Sequence, residues 1–142
     1  MNIKKAIMTA VVWYAVMFLI ASAMIAIISS MPTAAVTTYT FLEISLGPQA
    51  NPVFGIVIVI SSAILAYLLS RYYYFKGKVK DPAKEGLMLG IVVVVISFII
   101  EIPVMVYGFA AAIGWNYFLS WNIIVGYLLA LLIPVFAAYQ SR

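Results

Sequence analysis

The chain contains no cysteine and no histidine. Those absences exclude disulfides, thiol catalysis, imidazole general bases and the usual zinc, haem and iron–sulfur ligand sets, so no cofactor and no metal is expected. Charge is nearly as scarce: 8% of the 142 residues are charged, against roughly 25% in an ordinary soluble domain. With 67% hydrophobic residues and a mean hydropathy of +1.18, the chain has too few polar side chains to cover a surface in water. Its expected solvent is the lipid bilayer. The excess of 8 Lys and Arg over 4 Asp and Glu does not point to nucleic acid, because the basic residues flank apolar segments and form no soluble basic face. Neither a Gly-x-Ser-x-Gly elbow nor a phosphate-binding loop is present.

What the sequence does have is long apolar runs. No charge interrupts the chain between Lys5 and Glu43, and about residues 6–30 supply the ~20 apolar residues that a spanning helix needs. A signal-peptide reading, with Ala21-Ser22-Ala23 as a small-residue cleavage site, gives way because the apolar run continues through Met24 to Ile28. Residues 31–52 hold neither Lys nor Arg and form the longest expected loop, with room for a short strand pair or an interfacial helix. Pro52 suits the first turn of a second helix over about 53–74, since the N–H that proline lacks has no partner there anyway. That helix closes on Arg71, Tyr72, Tyr73, Tyr74 and Phe75, an aromatic and basic cluster suited to headgroup level. A basic polar loop over 75–82 leads to a third helix, about 83–110, and a turn at Gly114-Trp115-Asn116 to a fourth, about 117–139. Trp115, Tyr117, Phe118 and Trp121 would make the aromatic belt of the opposite interface.

The expected architecture is one membrane domain, 1–142: an all-α, antiparallel bundle of four transmembrane helices. With four spans all 8 basic residues fall on one side, which the positive-inside rule makes cytoplasmic, together with both termini. Three or five spans would scatter them. Small residues recur every fourth position: Ser22, Ala26 and Ser30; Ser62, Ala66 and Ser70; Gly86 and Gly90; Gly126, Ala130, Pro134 and Ala138. In lipid, where helix contact brings no hydrophobic gain, such rows let backbones approach closely. Gly86, Gly90, Gly126 and Ala130 are therefore the expected packing positions. Pro103 and Pro134 are expected to kink their helices.

One residue raises a functional question. Glu101 lies deep in the third helix beside Ile99, Ile100 and Ile102, where an ionisable group is expensive and by default a functional candidate. Ser97 lies one turn away on the same face. Counting ~1.5 Å per residue from the outer helix ends puts Glu101, Ser22, Ser61, Ser62 and Tyr127 in one layer at ~12 to 15 Å depth, with Asn122 higher at ~8 Å. Out of water the neutral acid is favoured, and it is expected to donate a hydrogen bond to one of these oxygens.

Three roles follow. Glu101 can lock helices together, in a non-enzymatic accessory or assembly subunit of a membrane complex; this is the leading expectation. It can serve a small homo-oligomeric carrier coupled to protons or cations. It can belong to a lipid-modifying membrane enzyme, although two-carboxylate hydrolysis needs a second acid at the same depth, and Glu43, Asp81 and Glu85 all fall in loops or at helix ends. The expected partners are the bilayer, anionic lipid headgroups at the basic cytoplasmic face, and a second copy of the chain or another membrane protein. The carrier predicts a hydrated cavity reaching Glu101; the accessory subunit predicts a dry bundle.

Overall fold

The computed structural model of the protein describes residues 2–29, 52–74, 79–109 and 114–141. Helix α1 spans Ile3–Ser29, α2 Pro52–Tyr74, α3 Pro82–Glu101 and α4 Trp121–Tyr139. A π-helical stretch, Ile102–Phe109, continues α3, and a 3₁₀ segment, Gly114–Leu119, precedes α4. No strand occurs among the described residues. Four helices are long and apolar enough to cross a membrane: Ile3–Ile27, Val53–Tyr74, Pro82–Gly108 and Trp121–Tyr139. The expected loop over 31–51, with Glu43, lies outside the described residues, as do Ser30, Lys76, Lys78 and Arg142.

The helix boundaries depart from the sequence expectation in three places, each for a local reason. Helix α1 begins at Ile3, not at residue 6, because Asn2 caps it: the Asn2 side-chain oxygen accepts from Lys5 N–H at 3.1 Å, and Ala6 N–H donates to the Asn2 carbonyl at 2.9 Å. Lys4 and Lys5 therefore lie inside the first turn. The third helix does not stay α-helical to residue 110. Pro103 has no N–H to give the carbonyl four residues back and its ring would crowd that carbonyl, and the ladder widens to π geometry from Ile102 onward. A methyl built on Gly108 would sit 3.5 Å from the Pro103 carbonyl oxygen, five residues earlier. The fourth helix starts at Trp121, not 117, because Ser120 is extended, with φ −66° and ψ 133°, and separates it from the 3₁₀ segment. Gly114, expected in a simple turn, opens that segment at φ 52°, a backbone conformation that glycine adopts without strain.

At the charged end the start of α3 is fixed by Asp81, whose carboxylate accepts from Lys84 N–H at 3.1 Å, with Pro82 at the first helical position. Two cations cap other helices. Lys5 Nζ donates to the carbonyls of Tyr72 at 3.0 Å and Tyr73 at 2.5 Å, and Arg71 Nη1 donates to the Gln140 carbonyl at 2.9 Å and Ser141 Oγ at 3.1 Å. Each thus stands at the negative end of a helix dipole, on carbonyls that have no partner within the helix.

Small residues set the closest helix contacts. Gly86 lies against the backbone of Val135, and a methyl on Gly90 would come within 2.6 Å of the Leu131 carbonyl oxygen and 3.1 Å of that of Ala130. The glycine hydrogen pointing there faces those carbonyls as a weak Cα–H donor. Pro134 releases the Ala130 carbonyl from its intrahelical bond, yet α4 continues as α-helix on both sides of it. Ser62, Ala66 and Ser70 of α2 are all buried, and Gly55 lies under the Trp121 ring. Helix α1 buries Ala6, Ala10, Trp13 and Met17, whereas Ser22 and Ala26 of its small-residue row are exposed.

Candidate functional site

Glu101 is the last residue of α3 before the π-helical stretch. It is half-buried, and both carboxyl oxygens are engaged by phenols. The Tyr117 hydroxyl donates to Oε1 at 3.3 Å, and the Tyr127 hydroxyl donates to Oε2. Tyr127 comes from the second turn of α4, so it approaches from the facing helix. Tyr117 comes from the 3₁₀ segment, where its ring is buried with Met105 among Phe18, Val104, Phe118 and Ile123. Three elements thus converge on one carboxyl, and the π stretch that carries Met105 begins immediately behind it. Local widening of a helix is frequent where a chain must place a functional group that regular α geometry would misdirect.

These residues form part of the wall of a cavity of about 120 Å³. Helix α1 contributes Trp13, Tyr14, Met17 and Phe18; α2 contributes Phe54, Ile58 and Ser62. From α4 and the residue before it come Ser120, Asn122, Gly126 and Tyr127. Most of the wall is carbon. Its polar groups are Glu101, the phenols, the Trp13 indole N–H and a few hydroxyl and amide groups; no Lys or Arg reaches it. The Ser62 side chain is 1% exposed, and its Oγ has no hydrogen-bond partner. An orphaned buried hydroxyl costs about 1 to 3 kcal/mol unless something in the cavity satisfies it.

Of the residues placed in one layer by depth counting, Glu101, Ser22, Ser62 and Tyr127 line this cavity, as does the higher-lying Asn122. Asn122 and Ser62 are buried, whereas the exposed Ser22 stands where the wall reaches the outside of the molecule. Ser61, half-buried, and Ser97, fully buried, do not line it. The Ser97 hydroxyl has no partner either. Tyr127 is therefore the one expected partner found on the carboxyl, and none of the serines bonds to it. Tyr117 was assigned to the interfacial belt by its aromatic neighbours. The signal overlooked was its hydroxyl, since a tyrosine that enters an apolar environment needs a partner for that group.

Chemically the arrangement is a single carboxyl oriented by two phenols at the edge of a largely apolar chamber. Among the described residues no group of three or more acidic or other metal-ligating side chains gathers. No protein-family model, no curated protein and no solved structure matches the chain.

Proposed function

We propose that this protein is a small membrane carrier in which Glu101 serves as a proton or cation site for a solute held in the adjoining cavity. The observation that carries this reading is the cavity itself: a chamber of about 120 Å³ reaches Glu101, the one acidic side chain away from the ends of the four apolar helices. A purely accessory subunit calls for a dry bundle at this depth, whereas the carrier reading requires this space to hold solute or water. For an enzyme of the two-carboxylate kind a second acid would have to stand beside Glu101; the groups that reach it are phenols.

The topology proposed with this function is an antiparallel bundle with both termini and the 75–82 loop in the cytoplasm. Pairwise contacts support the alternation. Gly86 meets Val135 while Gly90 meets Leu131, an opposed progression along α3 and α4. Asn2 N–H bonds the Tyr73 hydroxyl at 2.9 Å, which brings the start of α1 to the end of α2. Gly55 meets Trp121 and Tyr67 meets Phe136, a progression in one direction along α2 and α4. Positive charge on one side supports the orientation. Since Ser22 of α1 stands at the rim, a full path across the membrane requires movement of α1 or a second copy of the chain.

The test is a carboxyl titration followed by infrared spectroscopy on the protein in lipid nanodiscs. The carrier reading expects a carboxyl band that changes with pH and is absent in Glu101→Gln, with that variant folded but inactive in proteoliposome uptake. A band unmoved from pH 4 to 10, with Glu101→Gln indistinguishable from the parent in uptake, would sink the carrier mechanism.

A further inference from the structure

The chemistry of the cavity walls narrows the class of solute, given that the cavity is a solute site as proposed above. We propose that it takes a small organic ammonium ion, about one ring in size, with its N–H groups on Glu101 and its apolar body against the aromatic wall.

Charge selects the sign. The wall carries one carboxyl and neither Lys nor Arg, so an anion would find donors such as the Trp13 indole N–H but no positive charge to offset an ionised Glu101. A neutral solute would leave an ionised Glu101 with two phenols but no counter-charge in a mostly carbon wall, where a charge is costly. A cation or a proton removes the problem. The wall then separates organic from inorganic cations. Hard metal ions surround themselves with about six or more oxygen ligands, whereas this chamber offers a carboxyl, a few hydroxyls and an amide in a mostly carbon surface. Trp13, Tyr14, Phe18 and Phe54 instead supply aromatic rings, and a ring face within ~6 Å attracts an ammonium group.

Ser62 adds an independent observation. Ser62 lines the cavity, and its buried hydroxyl has no protein partner. An ammonium group has more than one N–H to give, and Ser62 Oγ can accept one that Glu101 does not take. Volume sets the size. An apolar protein cavity of roughly 150 Å³ accepts benzene, and this one measures about 120 Å³, so a single ring or its aliphatic equivalent is the upper bound.

Benzylamine and benzyl alcohol form a matched pair of probes, equal in shape and different in charge. Binding of each is measured by equilibrium dialysis against the full chain in phosphatidylcholine nanodiscs, with empty nanodiscs subtracted for partitioning into lipid. Benzylamine is expected to bind more tightly than benzyl alcohol. Glu101→Gln should weaken benzylamine at least about tenfold, as loss of one charge-assisted contact implies, and change benzyl alcohol less than about twofold. Gly126→Val is the control for location: a methyl there meets only Ser62 Oγ, at 3.8 Å, so the side chain grows into the chamber and should abolish binding of both probes in a folded protein. Equal binding of the two probes, unaffected by Glu101→Gln but lost in Gly126→Val, would overturn the ammonium assignment and leave the cavity standing as a solute site. Binding of neither probe, or binding indifferent to Gly126→Val, would overturn the solute-site reading as well.

Discussion

Glu101 shows how far a residue can be understood before its surroundings are known. A lone acid within an apolar span is visible in the sequence, because nothing else within reach along the helix can solvate it. Its partners were only half visible. Depth counting reaches Tyr127, although the two counts cross the π stretch after Glu101 and the 3₁₀ segment before α4. It misses Tyr117, which lies in a 3₁₀ segment with a different rise, separated from α4 by an extended Ser120. The serines at the same depth turned out to be poor guides, because depth says nothing about which way around the helix a side chain points. Two substitutions separate the partners. Tyr127→Phe keeps the ring and removes the hydroxyl that donates to Glu101 Oε2, and should lower stability by about 1 kcal/mol, in line with hydrogen bonds between membrane helices. Glu101→Ala should cost about the same or more, because it strands two phenols at once. Combining the two should be less than additive, since they share a contact. Thermal unfolding of the two single variants and the double variant in one detergent provides the measurement, and strict additivity would show that the contact contributes nothing.

Among the helices, the same kind of residue does different things on different faces. Glycines four apart announce a face suited to close approach, and the sequence supplies Gly86, Gly90 and Gly126 without distinguishing them. The neighbouring backbone distinguishes them. Gly90 is pressed against the Leu131 and Ala130 carbonyls, where a methyl would come within 2.6 Å, whereas a methyl on Gly126 meets Ser62 Oγ at an ordinary 3.8 Å. Backbone cannot step aside as a flexible side chain can, so Gly90→Ala must push α3 and α4 apart. Overpacking of this sort costs about 1 to 3 kcal/mol. Gly126→Ala should be close to neutral in stability. The pair can be compared by unfolding in the same detergent, and an equal loss for both would mean that the α3–α4 contact is no tighter than the cavity wall. The exposed row at Ser22 and Ala26 gives the complementary lesson: periodicity locates a face, and only the packed neighbours say whether that face is used within the chain. The π stretch was illegible for a related reason. Pro103 signals a disturbance, but whether a helix answers proline by bending or by widening depends on what is packed around it.

For the whole molecule, composition decided most of what can be read, because long apolar runs bounded by charge have few structural outcomes in lipid. The cavity had no such signature, being a space left between α1, α2, α4 and the end of α3, with its polar groups drawn from separate stretches of the chain. Orientation rests on a different quantity, the placement of charge relative to the spans. In the described part of the chain the basic side chains lie at one end, where Lys5 and Arg71 are further fixed by carbonyls at the ends of α2 and α4. Translocating such a cluster would require breaking those contacts and moving each charge across the hydrocarbon, at ~2.5 to 3.5 kcal/mol per residue on insertion scales. Retention in the cytoplasm is therefore expected for both termini and the 75–82 loop, with residues 31–51 outside. Because the chain has no cysteine, single-cysteine variants need no background removal. Lys78→Cys and Gln49→Cys in intact cells should respond oppositely to a membrane-impermeant maleimide, with Gln49→Cys labelled at once and Lys78→Cys only after permeabilisation. The reverse pattern would invert the orientation and keep the four spans, whereas labelling of both from outside would mean that α2 does not cross the membrane and that Glu101 lies in a different environment from the one argued here.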